Sequence, residues 1–232
     1  NRYFCRRCNN YDQKEFFSDQ LGVYCRRCLI FGKSSTYKKI WRKEIKTDFN
    51  GKYCLNKVIY LSEFQKTASK KCIDAYRNKK DLLVYAVCCA GKRELVYEVI
   101  LKALNEGKIV CFATPRKDVV LELTPRFKRD FYAVDIIALY SGSLDKGKIG
   151  NLYISTTHQL INYYKFFDLM ILDEVDAFPY YNNRMLEGFV KKANKDTSPI
   201  IYLTATPTNH LKYLINKKLI DYYIIPSRFH NF

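Results

Sequence analysis

A run of four apolar residues, LMIL at positions 169–172, leads directly into the acidic sequence DEVD at positions 173–176. Strands without polar alternation are typical of parallel α/β sheets, because helices cover both faces of such sheets. Ligands bind just beyond the carboxyl ends of these strands, where the two carboxylates fall. The pattern predicts that Asp173 holds Mg²⁺ and that Glu174 orients or activates a water molecule. A solvated acidic turn is the alternative interpretation.

Apolar strands alternate with helical patterns from residue 61 onward. The strands are predicted at 82–88, 109–113, 135–140, 152–155, 169–173 and 200–204, and the helices at 65–78, 93–104, 115–131, 157–164 and 184–195. A further strand is expected near residues 57–61. The alternation predicts an α/β fold with a doubly wound, mostly parallel sheet.

Two cysteine pairs, Cys5-x-x-Cys8 and Cys25-x-x-Cys28, stand sixteen residues apart near the start of the chain. The spacer is long enough for a β-hairpin, and four thiolates in a tetrahedral array select Zn²⁺. Backbone N–H groups and the paired arginines inside each motif would offset the negative charge. Four ordinary buried thiols, or a redox pair, are the alternatives. Five of the nine cysteines look unpaired, which favours a reducing cytoplasm.

The charge balance points to a polyanion as partner. The chain has 40 Lys and Arg against 23 Asp and Glu, a net charge of +17. Nucleic acid and an anionic membrane surface both fit this surplus. No apolar run is long enough to predict a membrane span. Residues 34–60 are strongly basic around Trp41, the only tryptophan.

Residues 86–93, AVCCAGKR, occupy a predicted strand-to-helix turn. Phosphate binding at such a turn needs backbone N–H groups, a helix N-terminus and a lysine. The superfamily of helicases that contains the DEAD-box proteins has A-x-x-G-x-G-K-[ST] here. Gly91 and Lys92 fit that pattern, whereas Cys89 and Arg93 depart from it.

Both departures predict impaired hydrolysis. If position 89 needs a positive φ, a cysteine costs roughly 1–2 kcal/mol there. Arg93 replaces the hydroxyl that would bind Mg²⁺ and adds a positive charge where the cation should lie. Arginine also binds phosphate, so ATP binding without normal turnover is expected.

Two further motifs resemble parts of a nucleotide site. Gln65 follows Ser62 at a predicted helix start, as in the adenine-reading Q motif, although a helix N-cap at Ser62 explains the pattern equally well. Thr204 and Thr206 follow a strand, where their hydroxyls can couple the nucleotide state to bound DNA.

Polar residues at other strand ends predict a nucleic-acid groove. Arg116, Ser141, Gly142, Thr156 and Thr157 follow three predicted strands. Because these strand ends share one edge of the sheet, the residues could line a phosphate-binding groove. Ordinary turns and helix caps are the alternative for each of them.

Taken together, these motifs resemble the ComFA family of late-competence DNA-uptake helicases in Gram-positive bacteria. The matching strings are ATPR at 113–116, TTHQL at 156–160, DEVDAFP at 173–179 and LTATP at 203–207, behind a four-cysteine head. The resemblance covers essentially the whole chain.

The resemblance implies a RecA-like domain with ATP, Mg²⁺ and structural Zn²⁺ as cofactors. It implies an ATP-driven, homo-oligomeric motor that pulls single-stranded DNA. Such a motor would lie in the cytoplasm, peripheral to the inner face of the membrane at a DNA import channel. Its partner would be the phosphoribosyltransferase-like competence protein ComFC.

These inferences divide the chain into three parts. They are a zinc ribbon at 1–33, a basic connector at 34–60 and a RecA-like ATP-binding domain at 61–232. The chain starts without methionine and stops where a second RecA-like domain should begin, so we expect an N-terminal piece of a longer protein.

Two other functions stay open. One is a non-catalytic DNA-binding or assembly module that keeps the zinc head and the basic face. The other is a replication-restart helicase, which is less favoured because such enzymes usually carry their cysteines after the first motor domain.

Overall fold

The cysteine-rich head is a small antiparallel sheet. The computed structural model describes residues 2–45, 47, 49–86 and 93–226. Strands β1 (Phe16–Asp19), β2 (Gly22–Cys25) and β3 (Ser34–Ser35) pair in that order, and 3₁₀ segments flank the β1–β2 hairpin at Gln13–Glu15 and Arg26–Phe31. The spacer between the two cysteine pairs therefore contains the expected hairpin.

The rest of the chain alternates strands and helices. The strands are β4 (Cys54–Leu55), β5 (Leu82–Ala86), β6 (Val110–Thr114), β7 (Phe131–Tyr132), β8 (Ile136–Leu139), β9 (Leu152–Thr156), β10 (Leu169–Asp173), β11 (Ile200–Thr204) and β12 (Asp221–Ile225). The helices are α1 (Glu63–Asn78), α2 (Tyr97–Asn105), α3 (Lys117–Asp130), α4 (Arg184–Ala193) and α5 (Asn209–Asn216). Further 3₁₀ segments lie at Glu94–Val96 and Thr157–Asn162. None of the described helices is both long and apolar enough to cross a bilayer.

Seven strands form one parallel sheet in the order β12-β5-β11-β10-β6-β9-β8. β10 is the central strand, with β11 on one side and β6 on the other. Its side chains are buried throughout, as its continuous apolar sequence predicts. The predicted doubly wound parallel sheet is confirmed.

The structure differs from the sequence prediction in several elements. Helix α5 and edge strand β12 were not predicted; most side chains of β12 are exposed or half-buried, so it lacks a continuous apolar run. The prediction of a strand near residues 57–61 is wrong. The short strand in this part of the chain is β4, which lies a few residues earlier and pairs with β7. The helix expected at 157–164 is a 3₁₀ segment.

Two hydrophobic clusters cover the two faces of the sheet. Helices α1, α2 and α3 pack on one face around the fully buried Phe112 and Phe127. The 3₁₀ segment 157–162, α4 and α5 pack on the other face. The second cluster also includes the four cysteines of the head. The head therefore packs on the face that carries α4.

Named contacts hold the head and the connector in place. The ring of Phe31 meets that of Phe189 edge to face at 5.5 Å between centroids. Lys192 Nζ donates a hydrogen bond to the Arg7 carbonyl oxygen at 2.6 Å. Where the connector ends, the Tyr53 N–H donates to Asn105 Oδ1 at 2.8 Å, and Asn105 Nδ2 donates to the Tyr53 carbonyl at 3.1 Å.

Candidate nucleotide site and metal centre

The candidate nucleotide site lies at the carboxyl edge of the sheet, around the end of β10. Asp173 is the last residue of β10 and is only 4% exposed. It pairs in register with Leu203 of β11, one residue before Thr204. On the other side, Leu172 pairs with Ala113 of β6. The Asp173 carboxylate therefore lies between the ends of two neighbouring strands, where parallel sheets bind ligands.

Arg93 contacts three carboxylates at this edge. Its Nε lies 3.0 Å from Asp173 Oδ2, its Nη2 3.5 Å from Glu174 Oε1 and its Nη1 3.3 Å from Glu122 Oε1 on α3. Burial opposes the charged form, but the hydrogen bond to Asp173 and the neighbouring carboxylates raise the pKa of Arg93. The guanidinium therefore stays charged.

This arrangement does not fit a Mg²⁺ ion. Carboxylate oxygens are suitable ligands for Mg²⁺. In this structure, however, the guanidinium of Arg93 lies against Asp173 Oδ2. A cation at that oxygen would meet a like charge at contact distance, which is unfavourable even at the effective dielectric of a protein surface. Arg93 must move away before the two carboxylates can hold a metal.

Arg116, predicted to contact nucleic acid, lies against Glu174. Its Nε is 3.1 Å from Glu174 Oε2, and its Nη2 is 3.2 Å from Oε1. Glu174 has a φ of +55°, and its N–H donates to Asp173 Oδ1 at 3.0 Å. This conformation costs a non-glycine residue roughly 1–3 kcal/mol and is concentrated at functional sites. Half of the Arg116 side chain is exposed, and its contact with nucleic acid stays a prediction.

The predicted nucleotide-binding side chains of β11 and α1 have local partners. The Thr204 hydroxyl donates to the Thr206 carbonyl at 2.8 Å and accepts from the Thr206 N–H at 3.0 Å, and Thr206 itself is exposed. At the start of α1, the Ser62 N–H donates to Gln65 Oε1 at 2.9 Å, and the Gln65 N–H donates to Ser62 Oγ at 3.4 Å. This reciprocal pair is a capping box, so the N-cap role of Ser62 is present. The adenine-reading role of Gln65 stays a prediction.

The residues predicted to line a nucleic-acid groove differ in exposure. Ser141 and Gly142 follow β8 and are exposed. Gly142 has a φ of +91°, which explains the glycine at this turn. Thr156 and Thr157 are buried, and the Thr157 hydroxyl has no hydrogen-bond partner among the described residues. Of these five predicted residues, Arg116, Ser141 and Gly142 are exposed enough to reach a phosphate backbone in this structure.

The phosphate loop itself contributes three more predicted residues. Cys89, Gly91 and Lys92 lie outside the described residues, and their roles stay predictions. Arg93 is the first described residue after them, and the 3₁₀ turn Glu94–Val96 leads from it into α2.

The second candidate site is the cluster of Cys5, Cys8, Cys25 and Cys28. Their sulfur atoms all lie within 4.8 Å of one another, and the Cys5–Cys28 and Cys8–Cys25 distances are both 3.6 Å. A tetrahedral Zn²⁺ with Zn–S bonds of about 2.3 Å places its sulfurs about 3.8 Å apart. The four thiols therefore fit a structural Zn²⁺.

Two neutral side chains lie beside the sulfur cluster. Asn10 Nδ2 lies 3.8 Å from Cys25 Sγ, and Ser34 Oγ lies 3.6 Å from Cys5 Sγ. Hydrogen bonds from the Cys28 and Cys8 thiols lower the pKa of Cys5. The hydrogen bond to Cys5 raises the pKa of Cys28.

Two arginines of the head, Arg7 and Arg27, bind other parts of the head. Arg7 donates to the carbonyls of Phe31 and Gly32 at 2.6 and 2.7 Å. Arg27 forms ion pairs with Asp12 and Glu15. These side chains link the segments of the head to one another. Among the described contacts, no arginine or lysine hydrogen-bonds to a cysteine sulfur.

Sequence reasoning missed two residues of these sites. Glu122 is an exposed acid on α3, and its contact with Arg93 depends on how α3 lies against the sheet. Asn10 is 3% exposed, and its carbonyl accepts a hydrogen bond from the Cys5 N–H. Its place two residues after Cys8 is the only signal that could have suggested it.

The parallel sheet with helices on both faces and an acidic pair at the end of its central strand is the architecture of a RecA-like helicase domain. The chain belongs to the family described as "Type III restriction enzyme, res subunit", whose model matches residues 59–209. Among curated proteins, it is 43% identical to the competence protein ComFA of Bacillus subtilis (strain 168), over 99% of this chain and 50% of that protein. It is 38% identical to ComFA of Streptococcus pneumoniae (strain ATCC BAA-255 / R6), over 99% of this chain and 52% of that protein. The resemblance to ComFA is confirmed, and the chain spans about half the length of these curated relatives.

A solved structure supports the same fold. The crystal structure of the Pyrococcus furiosus Hef helicase domain superposes with a TM-score of 0.51 at 18% identity, covering 71% of this chain and 38% of that chain. At this identity the likeness concerns the fold alone. It confirms the RecA-like architecture.

Proposed function

We propose that this chain contains the nucleotide-binding domain of an ATP-dependent DNA helicase or translocase that acts in DNA uptake. The observation that carries the proposal is the pair Asp173 and Glu174 at the carboxyl end of the central strand β10. Parallel sheets bind their ligands at this edge, and a nucleotide site needs a carboxylate there for its metal ion. The ComFA relatives support the role in competence, and the net charge of +17 supports binding of a polyanion.

The proposal gives each predicted site residue a role. Gly91 and Lys92 bind the phosphates of ATP, Gln65 contacts the adenine, and Glu174 orients the attacking water. Thr206 couples the nucleotide state to DNA, which passes along Arg116, Ser141 and Gly142. Asp173 binds a metal only after Arg93 has moved away from it.

The proposal also includes partners and a location. Single-stranded DNA is the substrate, and ComFC, the import channel and further copies of the same protein are the proposed partners. The work would take place in the cytoplasm at the inner face of the membrane. Within the chain, the zinc ribbon and the basic connector precede the motor domain and contribute to DNA binding.

A non-catalytic DNA-binding module is the second candidate function. The contact of Arg93 with Asp173 at 3.0 Å favours it, because the guanidinium occupies the carboxylate that a metal would need. In this function the sheet and the zinc head serve as a scaffold for DNA and protein partners.

Nucleotide binding and turnover distinguish the two functions. Binding of a fluorescent ATP analogue and ATP hydrolysis are measured with and without single-stranded DNA, for the unaltered chain and for the Arg93→Thr/Cys89→Gly variant. We expect both proteins to bind nucleotide and the variant to hydrolyse it faster, with stimulation by DNA. If neither protein binds nucleotide, the motor function is refuted and the non-catalytic module is favoured.

A further inference from the structure

We propose that a groove between the head and the α4 face binds single-stranded DNA at a place separate from the carboxyl edge of the sheet. This ribbon groove is formed by the connector segment 38–42, the head and the segment 161–164. It consists of two cavities of about 540 and 300 Å³. Both cavities are lined by the same connector residues, so they adjoin. The inference extends the DNA binding of the proposed function to a second surface, and it does not require nucleotide.

The ribbon groove concentrates positive charge. Seven basic side chains line it: Arg6, Arg7, Lys33, Lys38, Lys39, Arg42 and Lys192. No described residue that lines either cavity carries a carboxylate. Of the seven, only Lys33 forms an ion pair with a described carboxylate, that of Asp19. Such a cluster attracts a phosphate backbone, because binding releases the counterions condensed on it.

Aromatic side chains are interleaved with these charges. Trp41 lines both cavities and is 87% exposed. The guanidinium of Arg42 lies 3.7 Å from the centroid of the Tyr164 ring, which fixes the next residue of the connector on the α4 face. An exposed tryptophan beside basic groups is the arrangement that stacks unpaired bases.

The shape of the groove favours a strand over other polyanions. The adjoining cavities are lined by residues from Phe4 on the head to Tyr164 beyond the 3₁₀ segment, which suits an elongated ligand. A bilayer surface is flat and does not enter a groove of this kind. In duplex DNA the base faces are stacked on one another, so Trp41 can stack only on unpaired bases.

The groove and the candidate nucleotide site lie at opposite ends of β10. Tyr164 comes shortly before β10 begins, and the Lys165 N–H donates to the Lys192 carbonyl at the end of α4. Asp173 is the last residue of the same strand. A strand rises about 3.3 Å per residue, so the two ends of β10 are roughly 13 Å apart. DNA in the groove therefore leaves the nucleotide site open.

The single tryptophan makes the inference directly measurable. Trp41 emission is recorded while the whole chain is titrated with a 20-nucleotide oligo(dT), with an abasic oligonucleotide of the same length and with anionic phosphatidylglycerol vesicles. Anisotropy of a fluorescein-labelled oligo(dT) gives total DNA binding in parallel. We expect oligo(dT) to quench Trp41, and the abasic strand and the vesicles to leave its emission nearly unchanged.

Matched variants distinguish DNA binding in the ribbon groove from the general effect of the protein's positive charge on DNA binding. Trp41→Ala should weaken oligo(dT) binding by roughly tenfold, whereas Trp41→Phe keeps a stacking ring and most of the affinity. Lys38→Gln/Lys39→Gln should lower the slope of log affinity against log salt by about 1.4, because each lost phosphate contact removes about 0.7 for a single strand. Lys70→Gln/Lys71→Gln removes the same charge from two exposed residues of α1 and should leave the slope unchanged.

Each contrary outcome overturns a defined statement. DNA binding by anisotropy without quenching of Trp41 refutes the ribbon groove and leaves the proposed function intact. Equal quenching by the abasic strand refutes base stacking, and quenching by vesicles alone assigns the groove to a membrane. If no DNA binds at all, both the groove and the DNA-binding part of the proposed function are refuted.

Discussion

The two candidate cation sites of this protein differ in what already neutralises them. In the head, four cysteine sulfurs lie within 4.8 Å of one another, and among the described contacts no basic side chain hydrogen-bonds to them. At the carboxyl edge of the sheet, Asp173 and Glu174 already contact the guanidinium groups of Arg93 and Arg116. Among these contacts no cation lies against the sulfurs of the first cluster, whereas the carboxylates of the second are neutralised by the protein itself.

This difference shows that ligand type alone does not predict a metal site. Both clusters have the donor atoms that their metals prefer, sulfur for Zn²⁺ and oxygen for Mg²⁺. The two clusters differ in whether a positively charged side chain contacts the donor atoms. Arg93 is distant from Asp173 in the sequence, at a separation of 80 residues, but adjacent to it in the fold.

The largest effect is expected when the thiol cluster is broken. In Cys25→Ser/Cys28→Ser, the zinc content should fall from about one per chain to near zero, because the metal supplies of the order of 10 kcal/mol to the folding of such small domains. Elemental analysis of the purified protein measures it. Cys54→Ser alters an exposed cysteine outside the cluster and should leave the zinc content unchanged. Full zinc content in the double variant would assign the metal to other residues.

Asp130 extends the comparison to an acid that is paired with cations away from the sheet edge. Its carboxylate is 1% exposed and accepts hydrogen bonds from Tyr97 at 3.0 Å and Arg129 at 2.9 Å, with Lys57 Nζ at 3.1 Å. Asp130→Asn should lower the free energy of unfolding by about 2–3 kcal/mol, because it leaves these donors with a weaker acceptor. Urea denaturation at pH 7 measures the loss.

The effect of Asp130→Asn should also depend on pH. Burial opposes ionisation of Asp130, but hydrogen bonds from Arg129, Lys57 and Tyr97 lower its pKa below the ordinary 3.8. A carboxylate with a lowered pKa stabilises the fold above its unfolded-state pKa and loses this contribution as the pH falls through its folded-state pKa. The stability difference between the two proteins should therefore be constant near neutrality and shrink below about pH 4. A difference that grows on acidification would contradict the assignment.

Arg93→Thr is expected to make the acidic pair resemble an ordinary metal site. Removing the guanidinium leaves Asp173 and Glu174 as oxygen ligands, so the affinity for Mn²⁺ should rise by about tenfold, or about 1.4 kcal/mol. Electron paramagnetic resonance of free Mn²⁺ measures it. Arg77→Thr removes the same charge from an exposed end of α1 and serves as the control. Equal Mn²⁺ affinities in all three proteins would show that Arg93 does not block the carboxylates.

The smallest effect is expected for Arg116→Gln. Arg116 is half exposed, and exposed ion pairs contribute about 0.2–1 kcal/mol. Its loss should change the unfolding free energy by less than about 1 kcal/mol, and less still at high salt. Urea denaturation at low and high salt measures both values. A larger loss that persists at high salt would mean that Arg116 supports the conformation of Glu174.

The sheet was predictable because its inner strands are apolar throughout. All five side chains are buried in each of β6, β9, β10 and β11, and the predicted bounds of these strands are within one residue of the observed ones. Strand β12 was missed because an edge strand is buried only where it contacts the sheet. Its sequence therefore need not be apolar throughout. Its side chains at Tyr222 and Ile224 are at least half exposed.

The sites were predictable in their residue types but not in their pairings. The cysteine spacing is local, so it predicted the sulfur cluster. The contact between Arg93 and Asp173 requires the end of β10 to lie beside the loop that leads into α2. The contact between Arg116 and Glu174 requires β6 to be the neighbour of β10. No local pattern contains that strand order, and Arg116 was therefore assigned to nucleic acid alone.

The way the head is docked has a consequence for proteolysis. Between the Arg42–Tyr164 contact and the Tyr53–Asn105 hydrogen bonds, the connector includes the exposed Lys43, a target for trypsin. A cut there would not free the head, because the contacts of Phe31 with Phe189 and of Lys192 with Arg7 lie on the other side of the break. The nicked protein should therefore migrate as one particle in gel filtration and as two bands after denaturation.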